Sequence, residues 1–398
     1  MPPVRKRAHG KENTFRNRQI RLFNQVRSNR IITIFMCGDV MTGRGIDQIL
    51  PHPSAPRIFE SYARDAREYV ELAEEANGAI PKPVDFPYIW GDALDILVRM
   101  APDVRIINLE TAITANEDYW KRRGINYRMH PQNFPAITAA GIDVCSLANN
   151  HVLDWGYAGL VETLDTLENA KIKAVGAGRN QREAAAPAIV KIKGEGRAII
   201  FAFGSETSGI PAGWAATPDA PGVNFLHDLS DWTVRAIASR IHNVKRASDI
   251  VIASIHWGGN WGYEIPRDQT VFAYKLIDEA GVDIIHGHSS HHVLGIEVYH
   301  GKPIIYGCGD FINDYEGIGG YESYRADLGL MYFVQMEQAS GRFGGLLMKP
   351  TRMRNFRVNR ASRSEAVWLR DTLNREGKRF GTSVELDEEE TLILHWQK

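Results

Sequence analysis

The sequence has few cysteines and no long apolar run, and these absences exclude several classes of protein. Its three cysteines, Cys37, Cys145 and Cys308, are an odd number without short spacing in 398 residues, which argues against a disulfide framework and against a zinc knuckle. No apolar run has the length of a signal peptide or of a membrane-spanning helix. We therefore expect a cytoplasmic protein from a reducing compartment, without an integral membrane segment.

The chain also lacks an excess of charge of either sign. Its 47 Lys and Arg residues nearly balance its 48 Asp and Glu residues, and the formal net charge is −1. We therefore expect no nucleic-acid partner and no general attraction to anionic lipid. Residues 1–30 are the exception, because they carry nine Lys or Arg residues and a single acid, Glu12. This segment is predicted to be a poorly ordered basic tail, either a solvated extension or a docking segment for an acidic partner.

No Gly-, Pro- or Ser-rich linker and no repeat of fixed period divides the rest of the chain. Apolar runs typical of buried strands alternate with segments whose apolar residues recur every three or four positions. This alternation predicts an α/β fold with mostly parallel sheets covered by helices. The predicted strands are Ile31–Cys37, Val104–Asn108, Ile142–Leu147, Ala198–Phe203, Ile250–Ile255, Val282–His286 and Pro303–Tyr306. The predicted helices are Trp90–Met100, Gly159–Ala170, Trp232–Ala247 and Asp268–Ala280.

The remaining segments complete the predicted organisation. Val293–Tyr299 and Pro303–Tyr306 form a predicted hairpin, and the long connections at residues 51–89, with a helix-like stretch over Tyr62–Asn77, and 204–224 are candidates for a substrate lid. The main domain is predicted over residues 31–352. Residues 353–398, with a helix over Glu365–Arg379 and a strand over Thr391–Trp396, are expected to pack on its outside.

Polar clusters follow five of the predicted strands, where open α/β sheets place their chemistry. The most informative is Leu147-Ala148-Asn149-Asn150-His151-Val152-Leu153-Asp154, which combines an amide, an imidazole and a carboxylate. The others are Cys37-Gly38-Asp39-Val40-Met41-Thr42-Gly43-Arg44, Asn108-Leu109-Glu110-Thr111, Ser254-Ile255-His256-Trp257-Gly258-Gly259-Asn260-Trp261-Gly262 and His286-Gly287-His288-Ser289-Ser290-His291-His292.

These clusters supply carboxylate oxygens, an amide oxygen and several imidazoles, but no thiolate pair. Such a mixture suits Mn, Mg, Fe, Ca or Zn in an oxygen-rich site. Four histidines within seven residues, at 286–292, are the strongest metal signal. Structural roles stay open for single residues, since Asn and Asp are also favoured at helix N-caps and His256 could be a core histidine.

These motifs, in this order, resemble those of the calcineurin-like metallophosphoesterases, and more closely those of the CapA family, which is associated with poly-γ-glutamate capsule synthesis. The resemblance covers about residues 31–350 and includes a further motif, Tyr306-Gly307-Cys308-Gly309-Asp310-Phe311. It implies a four-layer α/β sandwich, in which two mixed sheets are flanked by helices and a site for one or two divalent metal ions lies at the strand ends.

The resemblance also implies roles for individual residues. It makes Asp39 the first metal carboxylate, Glu110 the bridging acid, Asn150 the amide ligand, and His256 and His288 imidazole ligands. It implies that His151 is the catalytic acid, with Asp154 as its partner, and that His291 or His292 takes the place of the last motif histidine. Arg44, Trp257 and Trp261, which lie within the motifs, are the predicted substrate contacts.

The chain departs from the family pattern at three points. Met41 stands where such phosphoesterases usually place a histidine, Glu110 stands where an Asp is usual, and two residues separate His288 from His291 where one is usual. These departures predict that one metal position is weakened or lost.

Three functions are compatible with these residues. The first is a CapA-type enzyme, accessory to synthesis of a polyglutamate-like polymer or peptide, that performs metal-assisted hydrolysis or transfer with His151 and Asp154 as acid and base. The second is a metal-dependent peptide epimerase, in which a second pair, from His291 or His292 with Asp310 or Asp314, would complement the first. The third is a non-catalytic binding or scaffold protein with a degenerate metal site.

Overall fold

The computed structural model describes residues 30–121, 123–192, 194, 196–338 and 340–397. Most of the basic segment expected at residues 1–30 therefore lies outside the described residues. The described chain contains a ten-stranded and a seven-stranded β-sheet, together with two sheets of two strands each. Helices flank the large sheets, which confirms the predicted mixed α/β class.

The strands of the described chain are, in order, β1 (Ile31–Val40), β2 (Val104–Leu109), β3 (Ala112–Ile113), β4 (Arg128–Met129), β5 (Val144–Ser146), β6 (Lys173–Val175), β7 (Ala177–Gly178), β8 (Ala188–Lys191), β9 (Arg197–Ser205), β10 (Gly222–Val223), β11 (Phe225–Leu226), β12 (Ile250–His256), β13 (Ile284–His288), β14 (Ile296–Tyr299), β15 (Lys302–Ile305), β16 (Asp310–Ile312), β17 (Leu328–Glu337), β18 (Phe343–Arg354), β19 (Arg357–Arg360), β20 (Thr382–Leu386) and β21 (Leu392–Trp396). The α-helices are α1 (Gly45–Ile49), α2 (Arg67–Asn77), α3 (Asp92–Met100), α4 (Pro135–Thr138), α5 (Gly156–Asn169), α6 (Gln181–Ala184), α7 (Asp231–Val244), α8 (Arg267–Asp278) and α9 (Arg363–Gly377). Short 3₁₀ helices occupy Tyr88–Trp90, Pro131–Asn133, Glu206–Ser208, Ala212–Trp214, Glu322–Tyr324 and Lys378–Phe380.

The larger sheet has the strand order β20-β21-β18-β17-β1-β2-β5-β6, with β16 paired to β1 and β19 to β18. Strands β1, β2, β5 and β6 are parallel, whereas β17 to β21 add antiparallel pairs. The expected boundary at residue 352 falls within β18, and β19, β20 and β21 continue the same sheet beyond it.

The second sheet has the order β11-β9-β12-β13-β15-β14, with β8 paired to β9. Its central strands are parallel, and β14 and β15 form the antiparallel hairpin that the sequence predicts.

Buried apolar side chains form three clusters around the two large sheets. One cluster contains residues of both sheets, such as Ile34 of β1 and Ile252 of β12. The neighbouring residues Phe35 and Val251 belong to the other two clusters, which include residues of α2, α3 and α5 and of α7 and α8, respectively. Because successive strand residues point to opposite faces, both faces of each sheet are buried, which explains the nearly continuous apolar runs.

Some predicted elements differ from the structure. Helix α2 begins at Arg67, five residues later than predicted, because Arg57 and Asp65 form an antiparallel bridge before it. Strands β17 and β18 were not among the predicted strands, although they lie in the middle of the larger sheet. Among the described residues, no helix combines the length and apolarity needed to cross a membrane.

Candidate active site

Strand pairing brings together side chains from distant parts of the chain. Asp39, near the end of β1, is in register with Asp310 of β16 on one side and with Asn108 of β2 on the other. In the second sheet, His256 of β12 is in register with His288 of β13. The carboxyl ends of parallel strands share one edge of a sheet, so these side chains meet where the two large sheets adjoin.

Asp39, His256 and His288 form the first group that could hold a metal ion. One ligand atom from each lies within 4.8 Å of the others, and all three residues are buried. The Nδ1 atoms of His256 and His288 are 2.7 Å apart. The Nε2 of His256 is 2.9 Å from the Oδ1 of Asn150. Because an amide oxygen only accepts, Nε2 of His256 carries the hydrogen and its Nδ1 keeps a lone pair for a cation.

A second group of the same kind contains Asp39, His291 and Asp310, again with ligand atoms within 4.8 Å of one another. The Nδ1 of His291 is 2.9 Å from Oδ1 of Asp310. The other oxygen of Asp310 accepts a hydrogen bond of 2.9 Å from the Nδ2 of Asn313. Asp39 thus belongs to both groups, and Asp310 provides a carboxylate that is not among the expected metal ligands.

Burial and mutual repulsion perturb the carboxyl groups of this site. Burial, reinforced by the charge of Asp310, raises the pKa of Asp39 to about 7. Burial and the neighbouring Asp39 raise the pKa of Glu110 well above its ordinary value. The Nδ2 of Asn108 lies between them and donates to Asp39 at 2.7 Å and to Glu110 at 3.3 Å. A nearby cation would remove the cost of ionising these groups.

The charge balance of the surrounding residues also fits bound cations. Two arginines, Arg44 and Arg123, stand against six buried carboxyl groups: Asp39, Glu60, Glu110, Asp154, Asp310 and Asp314. If all six are ionised, the carboxyl groups exceed the two guanidinium groups by four negative charges, and bound divalent cations would offset this excess. The carboxylate and imidazole donors suit such ions, so the residues present fit the expected metal.

His151 and Asp154 form the predicted pair. The Nδ1 of His151 is 2.6 Å from Oδ2 of Asp154, which also accepts a hydrogen bond of 2.7 Å from the backbone N–H of Tyr127. Burial lowers the pKa of His151, although Asp154 acts in the opposite direction. Near neutral pH, Nδ1 therefore donates to Asp154, and Nε2, which is 3.8 Å from Oε1 of Glu110, has a free lone pair. This imidazole can act as a base.

His291 and Asp310 form a second histidine–carboxylate pair with the opposite tendency. Burial alone would lower the pKa of His291, but the charges of Asp310 and Asp39 outweigh it and raise that pKa. The two histidines are thus shifted apart, His151 towards the neutral form and His291 towards the protonated form. Such a separation is typical of a site that holds one base and one acid.

Asn149 has a structural role beside these functional side chains. Its Oδ1 accepts hydrogen bonds from the backbone N–H groups of His151, at 3.2 Å, and Val152, at 3.0 Å. Its Nδ2 donates to the carbonyl of Leu109 at 2.9 Å. Asn149 therefore caps the turn that follows β5 and ties it to β2, while the neighbouring Asn150 is left to face His256.

A cleft of about 910 Å³ opens over the site. Asn150, His151 and His291 line it, and Trp261 forms part of its wall. Residues from the connection at 51–89 also line it, whereas none of the described residues from 204–224 does. The largest contribution comes from residues 313–327, which the sequence did not predict. These lining residues are Asn313, Tyr315, Glu316, Gly317, Ile318, Tyr321, Glu322, Arg325, Ala326 and Asp327.

The three predicted substrate contacts are placed differently from one another. Trp261 lines the cleft and stacks on Tyr321, with ring centroids 4.0 Å apart. Arg44 also lines the cleft, but its guanidinium donates to both oxygens of Asp314, at 3.1 and 2.5 Å, and to Glu60 at 2.9 Å. Trp257 is buried in the core beneath the second sheet and does not line the cleft.

Of the alternatives His291 and His292, only His291 contacts Asp310. His292 accepts from the backbone N–H of Gly262 at 3.1 Å and donates through Nδ1 to the carbonyl of Val293 at 3.2 Å. Burial lowers its pKa to about 4. Both ring nitrogens are therefore used by the backbone. Asp314, the alternative partner, is instead bound to Arg44.

Three further residues at the site have no role predicted from the sequence. Arg123 donates from Nη1 to the carbonyl of Gly209 at 2.9 Å, and its Nε is 3.6 Å from Oδ1 of Asp154. The ring of Tyr127 packs edge-on against His151, with centroids 4.6 Å apart. Ser289 has a φ of 101° and directs its backbone N–H to Asp39 at 3.3 Å, a strained conformation of the kind found at functional sites.

Comparison with known proteins identifies several relatives. The family model described as bacterial capsule synthesis protein PGA_cap matches residues 33–315. A protein of Mycobacterium tuberculosis named probable polyglutamine synthesis accessory protein is 49% identical over 89% of this chain and 93% of its own. The capsule biosynthesis protein CapA of Bacillus anthracis is 26% identical over 72% of this chain and 61% of its own. The PGA biosynthesis protein CapA of Bacillus subtilis is 26% identical over 79% and 71%, respectively.

Proposed function

Because the chain belongs to the PGA_cap family of bacterial capsule synthesis proteins, that is, the CapA family, we propose that it is a CapA-type accessory enzyme acting on a polyglutamate-like polymer or a peptide. The names of its relatives, which refer to polyglutamine synthesis and to capsule or PGA biosynthesis, support the pathway. We also propose that its two large sheets form the four-layer sandwich of calcineurin-like metallophosphatases. The shared core between the sheets and the helices packed on their outer faces support this arrangement.

The observation that carries the proposed chemistry is the position of the His151–Asp154 pair beside Asp39, His256 and His288, which we call the metal-ligand cluster. Oε1 of Glu110 is 3.8 Å from Nε2 of His151 and 3.9 Å from Nε2 of His256. Glu110 therefore lies between the His151–Asp154 pair and the metal-ligand cluster. Asp39, His256 and His288, with Glu110 and Asn150 beside them, would hold the cation. When bound, a divalent cation supplies charge stabilisation to a carbonyl or phosphoryl oxygen. His151 takes or returns a proton at Nε2, and Asp154 holds the ring in the required tautomer.

A second candidate function, peptide epimerisation, is favoured by the His291–Asp310 pair. Epimerisation removes the proton of one Cα–H bond and returns a proton to the opposite face of the same carbon, so it needs a base and an acid and no leaving group. His151, whose pKa is lowered, and His291, whose pKa is raised, have the complementary protonation states. Both line the same cleft.

The two reactions are separated by incubating γ-glutamyl and α-linked peptides with the purified protein in D₂O, followed by mass spectrometry. Deuterium incorporation at Cα without cleavage indicates epimerisation, whereas cleavage of the peptide chain indicates hydrolysis. The substitution His151→Asn should abolish either reaction. His300→Asn is the matched control, because His300 pairs with Asp278 at 2.9 Å in an equivalent way on the surface.

Two outcomes contradict the proposed chemistry. In the first, the protein purified without chelators binds no divalent cation and turns over none of these substrates. This result would favour the scaffold function. The other is full turnover by the His151→Asn variant, which would exclude this imidazole from proton transfer even if a metal ion is bound.

A further inference from the structure

Two buried side chains behind the metal-ligand cluster form a hydrogen-bonded chain with His288. The Nε2 of His286 is 2.8 Å from the backbone carbonyl oxygen of Cys37. The Oγ of Ser254 is 3.1 Å from Nδ1 of His286 and 2.9 Å from Nε2 of His288. Ser254, His286 and His288 are fully inaccessible to solvent.

The pairing of β12 with β13 produces this arrangement. In the parallel register, Ser254 lies beside His286 and His256 lies beside His288. Because alternate residues of a strand share one face, all four side chains project from the same face of the second sheet. The sequence Ser-x-His on one strand and His-x-His on the next thus builds two layers, one that could bind a metal ion and one behind it.

The direction of each hydrogen bond follows from what each atom can donate. The Cys37 carbonyl only accepts, so Nε2 of His286 carries a hydrogen. A fully buried imidazole with no carboxylate partner is neutral, so Nδ1 of His286 is an acceptor and the Ser254 hydroxyl donates to it. The Oγ of Ser254 then accepts from Nε2 of His288. His288 must therefore carry its hydrogen on Nε2 and present a lone pair on Nδ1, the atom that faces His256 at 2.7 Å.

We propose that Ser254 and His286 are positioning residues which fix the Nε2–H tautomer of His288 and so present its Nδ1 to the metal ion. The inference rests on the proposed metal site. Groups that orient a metal-ligating histidine in this way typically change metal affinity 10- to 100-fold when they are removed. Neither residue would contact the metal ion or the substrate.

The first test is the Mn²⁺ affinity of the full chain, measured by calorimetry. Ser254→Ala should weaken binding about 10- to 100-fold, with the melting temperature of the metal-free variant reported as the folding control. Ser146→Ala is the matched control, because Ser146 is also fully buried, at the end of β5, and its hydroxyl has no hydrogen-bond partner in the described structure. It should bind Mn²⁺ within about twofold of the unmodified protein. Equal affinities for the two variants would overturn the proposal.

The second test reads the tautomer of His288 directly, by ¹⁵N NMR of histidine-labelled, metal-free protein. The unmodified chain should show His288 protonated at Nε2, and Ser254→Ala should shift it to a mixture of tautomers. Protonation at Nδ1 in the unmodified chain would refute the inference. This measurement separates it from the proposed function, because a protein that binds no metal ion but shows the Nε2–H tautomer refutes only the metal site.

Discussion

Metal binding should depend steeply on pH, because the carboxyl group of Asp39 takes up a proton in a pH range in which ordinary aspartates stay ionised. Burial and Asp310 raise the pKa of Asp39 to about 7, and only the ionised form can ligate a cation. As the pH falls, Asp39 is protonated in a larger fraction of the molecules, and metal binding becomes weaker. His256 and His288 contribute little to this effect, since burial keeps the pKa of each well below its ordinary value.

The size of the effect follows from the fraction of Asp39 that is ionised. With a pKa of about 7, that fraction is about 0.76 at pH 7.5 and about 0.03 at pH 5.5, so the Mn²⁺ association constant should fall about 25-fold. A carboxyl group with the ordinary pKa of about 3.9 would change the constant by only a few per cent over the same range. Glu110, whose pKa is also raised, can only increase the change.

Isothermal titration calorimetry measures the association constant for Mn²⁺ and also the number of protons released when the cation binds. Besides the affinities, titrations at pH 6.5 in two buffers of different ionisation enthalpy give the number of protons released, which should be about 0.8 per cation from Asp39 alone. An association constant that is unchanged between pH 7.5 and 5.5, with no proton release, would refute the assignment of Asp39 as a perturbed ligand.

Three further predictions concern the surroundings of the site. Arg44→Met leaves the buried carboxylate of Asp314 unpaired and should lower the free energy of unfolding in urea by about 3–5 kcal/mol. Gly38→Ala should cost about 3 kcal/mol or more, because a Cβ there would lie 1.6 Å from the carbonyl oxygen of Gly309. Trp261→Ala removes part of the cleft wall and should raise KM about tenfold at unchanged metal affinity if, as proposed, the ring supplies substrate contact area.

Each of these predictions has a matched control. Arg67→Met breaks an exposed pair with Asp65 and should change stability by less than about 0.5 kcal/mol, and an equal loss at Arg44 would contradict the buried-pair argument. Gly213→Ala adds a Cβ with no atom within 4 Å, so equal stability of the two glycine variants would be inconsistent with a tight contact at Gly38. Trp232 is 71% exposed, and its replacement by Ala should leave KM unchanged.

The proximity of several candidate metal ligands could be predicted because these residues directly follow apolar runs. Asp39, His256 and His288 all lie at strand ends, and parallel strands of one sheet end at a common edge. The sequence therefore predicts that His256 and His288 meet at the ends of neighbouring strands. The approach of Asp39, which belongs to the larger sheet, depends on how the two sheets pack. His151 and Asp154 are three residues apart, so their contact depends only on the local turn that Asn149 caps.

The partners that depend on long-range register could not be predicted in the same way. Asp310 is adjacent to Asp39 because β16 returns to pair with β1, across about 270 intervening residues. Arg123 and Tyr127 lie in a connection without strand or helix periodicity. Strand β18 is hard to predict because Gly344, Gly345 and Pro350 interrupt its apolar pattern, whereas β17 has the continuous apolar run that is typical of a buried strand.

The second ligand group finally links metal stoichiometry to the type of reaction. Met41 offers a soft thioether, which is a poor ligand for a hard cation, and its sulfur accepts a hydrogen bond of 3.6 Å from the Tyr315 hydroxyl. Asp310 and His291, however, lie beside Asp39. A second cation there would occupy a ring nitrogen of His291 and remove it as a proton donor. Epimerisation, which needs that proton, is therefore compatible with at most one cation per chain, whereas hydrolysis with two cations does not depend on a protonated His291. Metal analysis of active protein should give one ion if deuterium enters at Cα, and two ions together with epimerisation would contradict this reasoning.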